Sequence, residues 1–237
     1  MLLELGGARL LTDPVLRPRL AHLRRHGTAP RADAAARLDA VLLSHLHRDH
    51  FDRPSLRRLD PDVAVIAPRG AARALRRLGL GHVIEVRAGE RVELGGASVT
   101  AVPAEHDGRR HPLAPATDAL GFVVAADRRV YFAGDTDVFD DMSALAVDLD
   151  VALLPVWGWG PSLGPGHMDP LAAARATALL RPRVAVPIHW GTFFPLGLER
   201  LRGARLVEPP REFANHVTRL APDVEVRILA PGEGLEV

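Results

Sequence analysis

The chain has 237 residues, of which 47% are hydrophobic, so it is long enough to bury a large core. Its formal net charge of +1, with arginine mixed among acidic residues, excludes nucleic acid as the main partner. All 30 basic residues are arginine and cysteine is absent, which excludes lysine Schiff bases, thiol nucleophiles and cysteine-held metals. Any metal ion must therefore be held by histidine, aspartate and glutamate.

The N-terminus carries no sign of export. Residues 1–7 have neither the basic start nor the long apolar core of a secretory signal. No apolar run approaches the roughly 18–20 residues needed to cross a bilayer. We therefore expect a cytoplasmic protein without a transmembrane segment and, since no linker or repeat marks a boundary, a single domain over residues 1–237.

Strands dominate the first half of the predicted elements. Residues 2–5 and 8–12 flank two glycines and predict a hairpin, while the Arg- and Pro-rich stretch 17–31 predicts an irregular surface segment. Further strands are predicted at 40–43, 63–67, 83–86, 91–94 and 97–103, with helices at 54–59 and 69–78.

Strands and helices alternate in the second half. A hairpin is predicted at 121–126 and 129–133, followed by strands at 151–155, 184–188 and 224–229. The clearest helix spans 170–180, with Asp169 as its cap and Pro170 at its first position, and a second helix is predicted at 211–220. This mixture predicts an α+β domain with two sheets and helices outside them.

The segment 44–50, Ser-His-Leu-His-Arg-Asp-His, is the densest group of metal-binding side chains in the chain. In an extended segment, side chains two apart point the same way, so His45 and His47 should converge. Asp49 and His50 follow where the chain turns away, and imidazole with carboxylate suits a divalent transition metal such as zinc. Chance would produce His-x-His-x-Asp-His in roughly two of a thousand chains of this composition. The segment therefore predicts a metal site.

Three further candidate ligands each follow a predicted strand: His106, Asp135 and His189. Loops at one edge of a sheet converge on active sites, so we expect these side chains to join the first group. His45, His47 and His106 then serve one metal, and Asp49, His50 and His189 serve a second. Asp135, which has two carboxylate oxygens, bridges the two metals and leaves room for a shared water.

The order of these residues over nearly the whole chain resembles that of metallo-β-lactamase-fold hydrolases. The resemblance implies a four-layer αββα sandwich, with Asp13 in Thr-Asp-Pro supporting the metal loop. The segments 154–158, 166–170 and 187–192 are similar to those of N-acyl phosphatidylethanolamine-hydrolysing phospholipase D and L-ascorbate-6-phosphate lactonase. Relatives typically begin with one more strand, so either the start codon is assigned late or the first sheet has a shortened edge.

The predicted mechanism uses two divalent metals, most simply zinc, with manganese or iron as alternatives. Metals roughly 3.5–4 Å apart lower the pKa of a bridging water, and the resulting hydroxide attacks phosphorus or a carbonyl carbon. Asp49 is expected both to bind metal and to orient the hydroxide. His167, in a Gly- and Pro-rich loop, is the candidate for protonating a leaving group, with local packing as its alternative role.

For several other residues, a structural or surface role is favoured over a functional one or is equally open. Trp157, Trp159, Phe193 and Phe194 are candidates for an apolar substrate wall or for core packing. His111 is a candidate phosphate contact, although a position in a solvated loop is favoured. The arginines of 17–25 could contact an anionic lipid, but a solvated face is favoured for them as well. The remaining histidines, His22, His26, His82 and His216, are expected at the surface or in structural roles.

The leading hypothesis is a binuclear hydrolase of a phosphodiester, with a phospholipid-like substrate. The same hydroxide attacks a lactone or an ester, so a lactonase is the alternative enzyme. A third reading is a metal-dependent binding protein without turnover. The substrate is expected to be a small molecule or lipid-like, peripheral membrane contact is left open, and the sequence does not define the oligomeric state.

Overall fold

The structure, a computed structural model, describes residues 1–31, 33–108, 117–158, 163–198 and 203–237. The first sheet contains, in spatial order, β1 (Leu2–Leu5), β2 (Ala8–Thr12), β5 (Ala40–Leu42), β6 (Ala64–Pro68) and β7 (Val83–Val86). Only β1 and β2 pair antiparallel. The short helices α1 (Arg53–Leu56) and α2 (Ala72–Arg76) lie on the outer face of this sheet.

The second sheet has seven strands. In spatial order they are β8 (Arg91–Leu94), β9 (Ala97–Pro103), β10 (Leu120–Ala125), β11 (Arg129–Phe132), β12 (Val151–Pro155), β13 (Val184–Ile188) and β15 (Glu225–Val226). Strands β8 to β11 are antiparallel, and β11, β12, β13 and β15 are parallel. Helices α3 (Pro170–Leu180) and α4 (Glu208–Leu220) cover its outer face.

Alternating side chains divide the two sheets into layers. Leu42 faces the core shared by both sheets, while its neighbour Val41 packs outward with Leu75 of α2. On the second sheet, Leu153 lies in the shared core and Leu154 packs outward with α3 and α4. Strands that are buried on both faces have continuous apolar sequences. Burying each such side chain contributes about 1.5–3 kcal/mol to the stability of the fold. The expected α+β class and αββα sandwich are confirmed.

A third, small sheet was not expected. It contains β3 (Arg19–Leu20), β4 (Leu23–Arg25) and β14 (Phe193–Pro195), with β4 in the middle. The prediction of an irregular segment over 17–31 is therefore wrong for the part that pairs with β14. Two 3-10 helices, Asp140–Leu145 and Gly203–Leu206, complete the described elements.

Most other elements agree with the sequence. Strands β7, β8, β9, β12 and β13 and helix α3 have the predicted bounds, and the Asp169 side chain accepts a hydrogen bond from Ala172 N (2.8 Å) as a helix cap. Helix α4 begins earlier than predicted, at Glu208, and β15 is shorter. Among the described residues, no helix combines the length and apolar character needed to cross a membrane.

Candidate metal centre

The predicted metal ligands lie in loops that leave one edge of the two sheets. The segment with His45 follows β5, while His106, Asp135 and His189 follow β9, β11 and β13. Strands β9 and β11 both pair antiparallel with β10, so they run in the same direction and end at the same edge. The loops after them therefore converge, as the sequence predicted.

His45, His47 and His106 form the first group, here named the triple-histidine cluster. One ring nitrogen of each lies within 4.8 Å of those of the other two. His47 Nδ1 is 3.1 Å from His106 Nε2. The rings of His45 and His47 meet edge to face, with centroids 4.6 Å apart. Three imidazoles that share so small a space match the ligand set of a single zinc ion.

Asp49, His50 and His189 form the second group, here named the aspartate cluster, whose ligand atoms also lie within 4.8 Å of one another. Asp49 Oδ2 is 3.8 Å from His189 Nε2 and 3.9 Å from His50 Nε2. The two histidine rings stack with centroids 5.2 Å apart. This cluster carries a formal negative charge that the first lacks.

Asp135 lies between the two clusters. Its Oδ2 is 3.1 Å from His50 Nε2 and 3.9 Å from His45 Nε2, and its Oδ1 is 3.5 Å from His189 Nε2. The preceding residue, Gly134, has a φ of +64°, and a Cβ there would lie 2.7 Å from the Ser44 Cβ. Glycine thus allows the Asp135 loop to approach the histidine-rich loop closely.

Asp13 orients the histidine-rich loop from behind. Its Oδ2 lies 2.7 Å from His50 Nδ1 and accepts a hydrogen bond from Ser44 Oγ (2.6 Å), while its Oδ1 accepts one from Ser44 N (2.8 Å). Ser44 Oγ in turn lies 2.9 Å from His45 Nδ1. A carboxylate behind an imidazole fixes its ring orientation and increases its basicity as a ligand. This is the supporting role that the resemblance implied for Asp13.

Backbone carbonyls orient the histidines from the second sheet. His106 Nδ1 lies 2.8 Å from Gly166 O, and His189 Nδ1 lies 2.6 Å from Trp157 O. Each bond leaves Nε2 facing the cluster, which is the arrangement typical of metal-binding histidines. His189 also has a φ of 59°, a left-handed conformation that is costly outside glycine and is concentrated at functional sites.

The two clusters differ in their electrostatics. Burial lowers the pKa of His45 well below its usual value, and burial lowers the pKa of His106 to about 4. Burial also acts against protonation of His50, but attraction to Asp135 and Asp13 outweighs it and raises the pKa well above the usual value. For Asp135, the nearby His189 and His50 outweigh burial and hold the carboxyl pKa well below its usual range.

The buried atoms of the site fit divalent metal ions. Within the described residues, His45 Nε2, His50 Nε2 and Asp135 Oδ1 are buried and make no hydrogen bond, even though His50 Nε2 is near Asp135 Oδ2. Buried polar atoms without partners are rare in folded proteins and require an explanation. Imidazole nitrogens and carboxylate oxygens turned toward one another are the ligand set that zinc and similar ions prefer.

His167 also reaches the site. Its Nε2 is 3.6 Å from Asp135 Oδ2, and its ring meets that of His106 with centroids 4.7 Å apart. Its Nδ1 faces the carbonyl oxygens of Gly164 (3.2 Å) and Pro165 (3.1 Å). A hydrogen bond to Asp135 raises the pKa of His167, with burial opposing it.

The remaining aromatic and histidine candidates differ in how deeply they are buried. Trp157, in the loop after β12, and Phe194, in β14, are buried, and Phe193 at the start of β14 is half-buried. His22 and His82 are exposed, and His26 and His216 are partly buried. His111 and Trp159 lie outside the described residues. Sequence reasoning overlooked Arg205, which stacks on Trp157, because no motif connects residues so far apart.

Comparison of the sequence with known proteins identifies the family of this chain. Residues 8–190 match the family model described as a beta-lactamase superfamily domain. The chain is 31% identical to the UPF0173 metal-dependent hydrolase of Methanopyrus kandleri, covering 98% of this chain and 94% of that protein. It is 33% identical to the UPF0173 metal-dependent hydrolase of Opitutus terrae, covering 100% of this chain and 95% of that one.

Solved structures agree with the fold. Igni18, a metallo hydrolase from Ignicoccus hospitalis, has 26% identity and a TM-score of 0.73, over 98% of this chain and 91% of that one. An isothiocyanate hydrolase from Delia radicum gut bacteria has a TM-score of 0.75 at 20% identity, over 100% of this chain and 95% of that one. At that identity, the second likeness establishes the fold alone.

Proposed function

The chain belongs to the UPF0173 metal-dependent hydrolases of the metallo-β-lactamase superfamily, and from that membership we propose that it is a binuclear hydrolase of phosphodiesters. A phospholipid-like molecule is the proposed substrate class. The observation that carries the proposal is the pair of three-residue clusters on either side of Asp135. Two clusters that share one carboxylate have the layout that two-metal hydrolysis requires.

In this proposal the triple-histidine cluster would hold one divalent ion and the aspartate cluster a second, and Asp135, which lies between the clusters, would serve both. Zinc is the proposed metal, with manganese and iron as alternatives. Two bound ions would supply an acidified water near neutral pH and positive charge for the oxygens of the substrate. Asp13, Gly166 O and Trp157 O keep the histidine rings turned toward that space.

Asp49 and His167 handle protons in this proposal. Asp49 is partly exposed, so one carboxylate oxygen can bind metal while the other accepts a proton from the attacking water. His167 has oxygen acceptors near both ring nitrogens, which favours the protonated ring. His167 Nε2 can therefore donate a proton to the leaving oxygen of the substrate.

The surroundings of the aspartate cluster favour a substrate with an apolar part. Trp157 lies in the loop after β12 and contacts His189 through its backbone carbonyl, and Phe193 begins β14 four residues after His189. Apolar side chains beside a charged catalytic centre are typical of pockets that bind molecules with a polar head and an apolar body. This feature favours a phospholipid-like ester over a small sugar lactone.

The test is hydrolysis by purified protein loaded with zinc or manganese. We expect turnover of bis(p-nitrophenyl) phosphate and little turnover of a panel of lactones. Lactone turnover alone would support the alternative lactonase, and tight ligand binding without product would support a binding protein. Absence of phosphodiester turnover with either metal contradicts the proposal.

A variant pair tests the proton donor. We expect His167→Gln to lower kcat on the phosphodiester by about 10²-fold, the lower end of general acid catalysis. His82→Gln, which changes an exposed histidine, is the matched control and should leave kcat unchanged. Equal rates for both variants would remove His167 from the mechanism.

A further inference from the structure

Two arginines stack on aromatic rings, one on Trp157 in the loop after β12 and one on Phe193 at the start of β14. The Arg205 Cζ lies 4.6 Å from the centroid of the Trp157 ring, and the Arg25 Cζ lies 4.5 Å from that of Phe193. A guanidinium over an aromatic face is held by the negative charge density of the ring. Neither arginine is used by the proposed mechanism.

The two arginines differ in what their N–H groups do. Arg25 donates to the backbone oxygens of Val15 and Arg17, so its guanidinium serves to connect β4 to the preceding segment. Arg205 makes neither a hydrogen bond nor an ion pair with any residue in the described ranges, and it is half-buried. Its guanidinium therefore lies over Trp157, and its donors are not used by any residue in the part of the chain that the structure describes.

Arg205 is connected to the aspartate cluster through Trp157, whose ring it covers and whose backbone oxygen lies 2.6 Å from His189 Nδ1. Its 3-10 helix, Gly203–Leu206, packs against the loop after His189, since Leu206 O would lie 3.1 Å from a Cβ on Gly191. On the other side, a Cβ on Gly158 would lie 3.8 Å from His189 Cε1. The 3-10 helix of Arg205 therefore lies next to the backbone that follows His189, and the loop after β12 lies next to the His189 ring.

We propose that Arg205 is a specificity-determining residue that binds an anionic group of the substrate, a phosphate or a carboxylate, outside the bond that is hydrolysed. Planar guanidinium groups bind such oxygens through two parallel hydrogen bonds, and stacking on an aromatic ring reduces the freedom that binding must remove. The proposal rests on the proposed function, because it assigns a second contact to the substrate of that site. The preferred substrates then carry two anionic groups separated by a spacer.

The test measures binding, so that it does not depend on turnover. Zinc-loaded protein is titrated calorimetrically with diphosphonates of increasing chain length and with alkyl monophosphonates of the same lengths. One phosphonate is expected to bind at the metal centre and the second, at a suitable length, at Arg205. At that length we expect the wild-type protein to bind the diphosphonate about tenfold more tightly than the monophosphonate, as for one charged hydrogen-bonded contact.

Variants of Arg205 identify the contact. Arg205→Met retains packing against Trp157 but removes the charge, and should abolish the preference for the diphosphonate while leaving monophosphonate affinity unchanged. Arg205→Lys should restore part of the preference, because it keeps the charge without the paired donors. Arg219→Met, an exposed arginine at the end of α4, is the matched control and should behave as wild type.

The outcomes separate this proposal from the proposed function. A wild-type protein without any preference at any chain length overturns the role of Arg205, as does a preference that survives in Arg205→Met. A protein that shows the preference and loses it in Arg205→Met, but hydrolyses no phosphodiester, supports Arg205 and contradicts the phosphodiesterase activity.

Discussion

The triple-histidine cluster and the aspartate cluster are adjacent, yet they hold their ligand atoms by different means. In the first, neutral groups orient two of the rings: Ser44 Oγ lies beside His45 and Gly166 O beside His106. In the second, a carboxylate is itself a member, and the Asp13 carboxylate contacts the outer nitrogen of His50. Charge therefore concentrates on the aspartate side of the site.

This difference has consequences for metal binding. Imidazole binds metal only when neutral, and burial already keeps the pKa of His45 and His106 low. The raised pKa of His50 means that its ring must release a proton before it can bind a metal ion. We therefore expect the first cluster to bind metal by preformed geometry and the second by charge attraction.

The largest effect is expected from Asp135, which contacts both clusters. Asp135→Ala should lower kcat/KM by about 10³-fold or more, since removing a shared metal ligand costs several kcal/mol of transition-state stabilisation. Elemental analysis should show fewer than two metal ions per chain. Asp137→Asn, two residues along the same loop, keeps the acceptor for Val138 N and is the matched control. An Asp135→Ala protein with full activity would contradict the shared role.

One substitution in each cluster tests whether the clusters contribute differently. Asp49→Ala and His47→Ala should each remove one metal ion, but Asp49→Ala should be slower by about a further 10²-fold because it also removes the proton acceptor. Circular dichroism establishes that both variants fold, and steady-state kinetics compares them. Equal rates for the two variants would mean that Asp49 acts only as a metal ligand. An Asp49→Ala variant that keeps the wild-type rate would contradict the proposed mechanism.

That the candidate metal ligands come together could be predicted from the sequence, because they are closely spaced or follow strands. His45, His47, Asp49 and His50 lie within six consecutive positions after an apolar strand. Each of the later candidate ligands follows a strand that its own apolar sequence predicts. Because these strands end at one sheet edge, the candidates come together without any prediction of contacts between distant residues.

The small sheet and Arg205 could not be predicted in this way. Strand β4 has three residues, two of them arginines, and its register with β14 pairs Arg25 with Phe193, far along the chain. Local propensity carries little information about such short strands, because their stability comes from the partner strand. The contact between Arg205 and Trp157 likewise depends on how a 3-10 helix packs against the loop after β12, which no periodicity in the sequence encodes.

The Asp13→Asn variant tests whether Asp13 supports the aspartate cluster more than the triple-histidine cluster. Asp13→Asn keeps the shape of the side chain but removes the charge that faces His50, so the metal affinity of the aspartate cluster should fall by about 10–100-fold. The triple-histidine cluster should lose less, because Asp13 reaches it only through Ser44. Zinc titration against a chromophoric chelator resolves the two affinities, and an equal loss at both clusters would contradict this distinction.

The smallest effect, and the one that separates the clusters most directly, is the pH dependence of metal affinity. His47→Ala keeps the aspartate cluster, where zinc must displace the proton that the raised pKa of His50 favours. Metal affinity should therefore fall as the pH falls, by up to about tenfold per unit for one displaced proton. Asp49→Ala leaves the triple-histidine cluster, where the pKa of His106 is about 4, so competition from protons at His106 should begin only near that pH. Parallel pH profiles for the two variants, measured by chelator competition, would show that the charge difference between the clusters does not control metal binding.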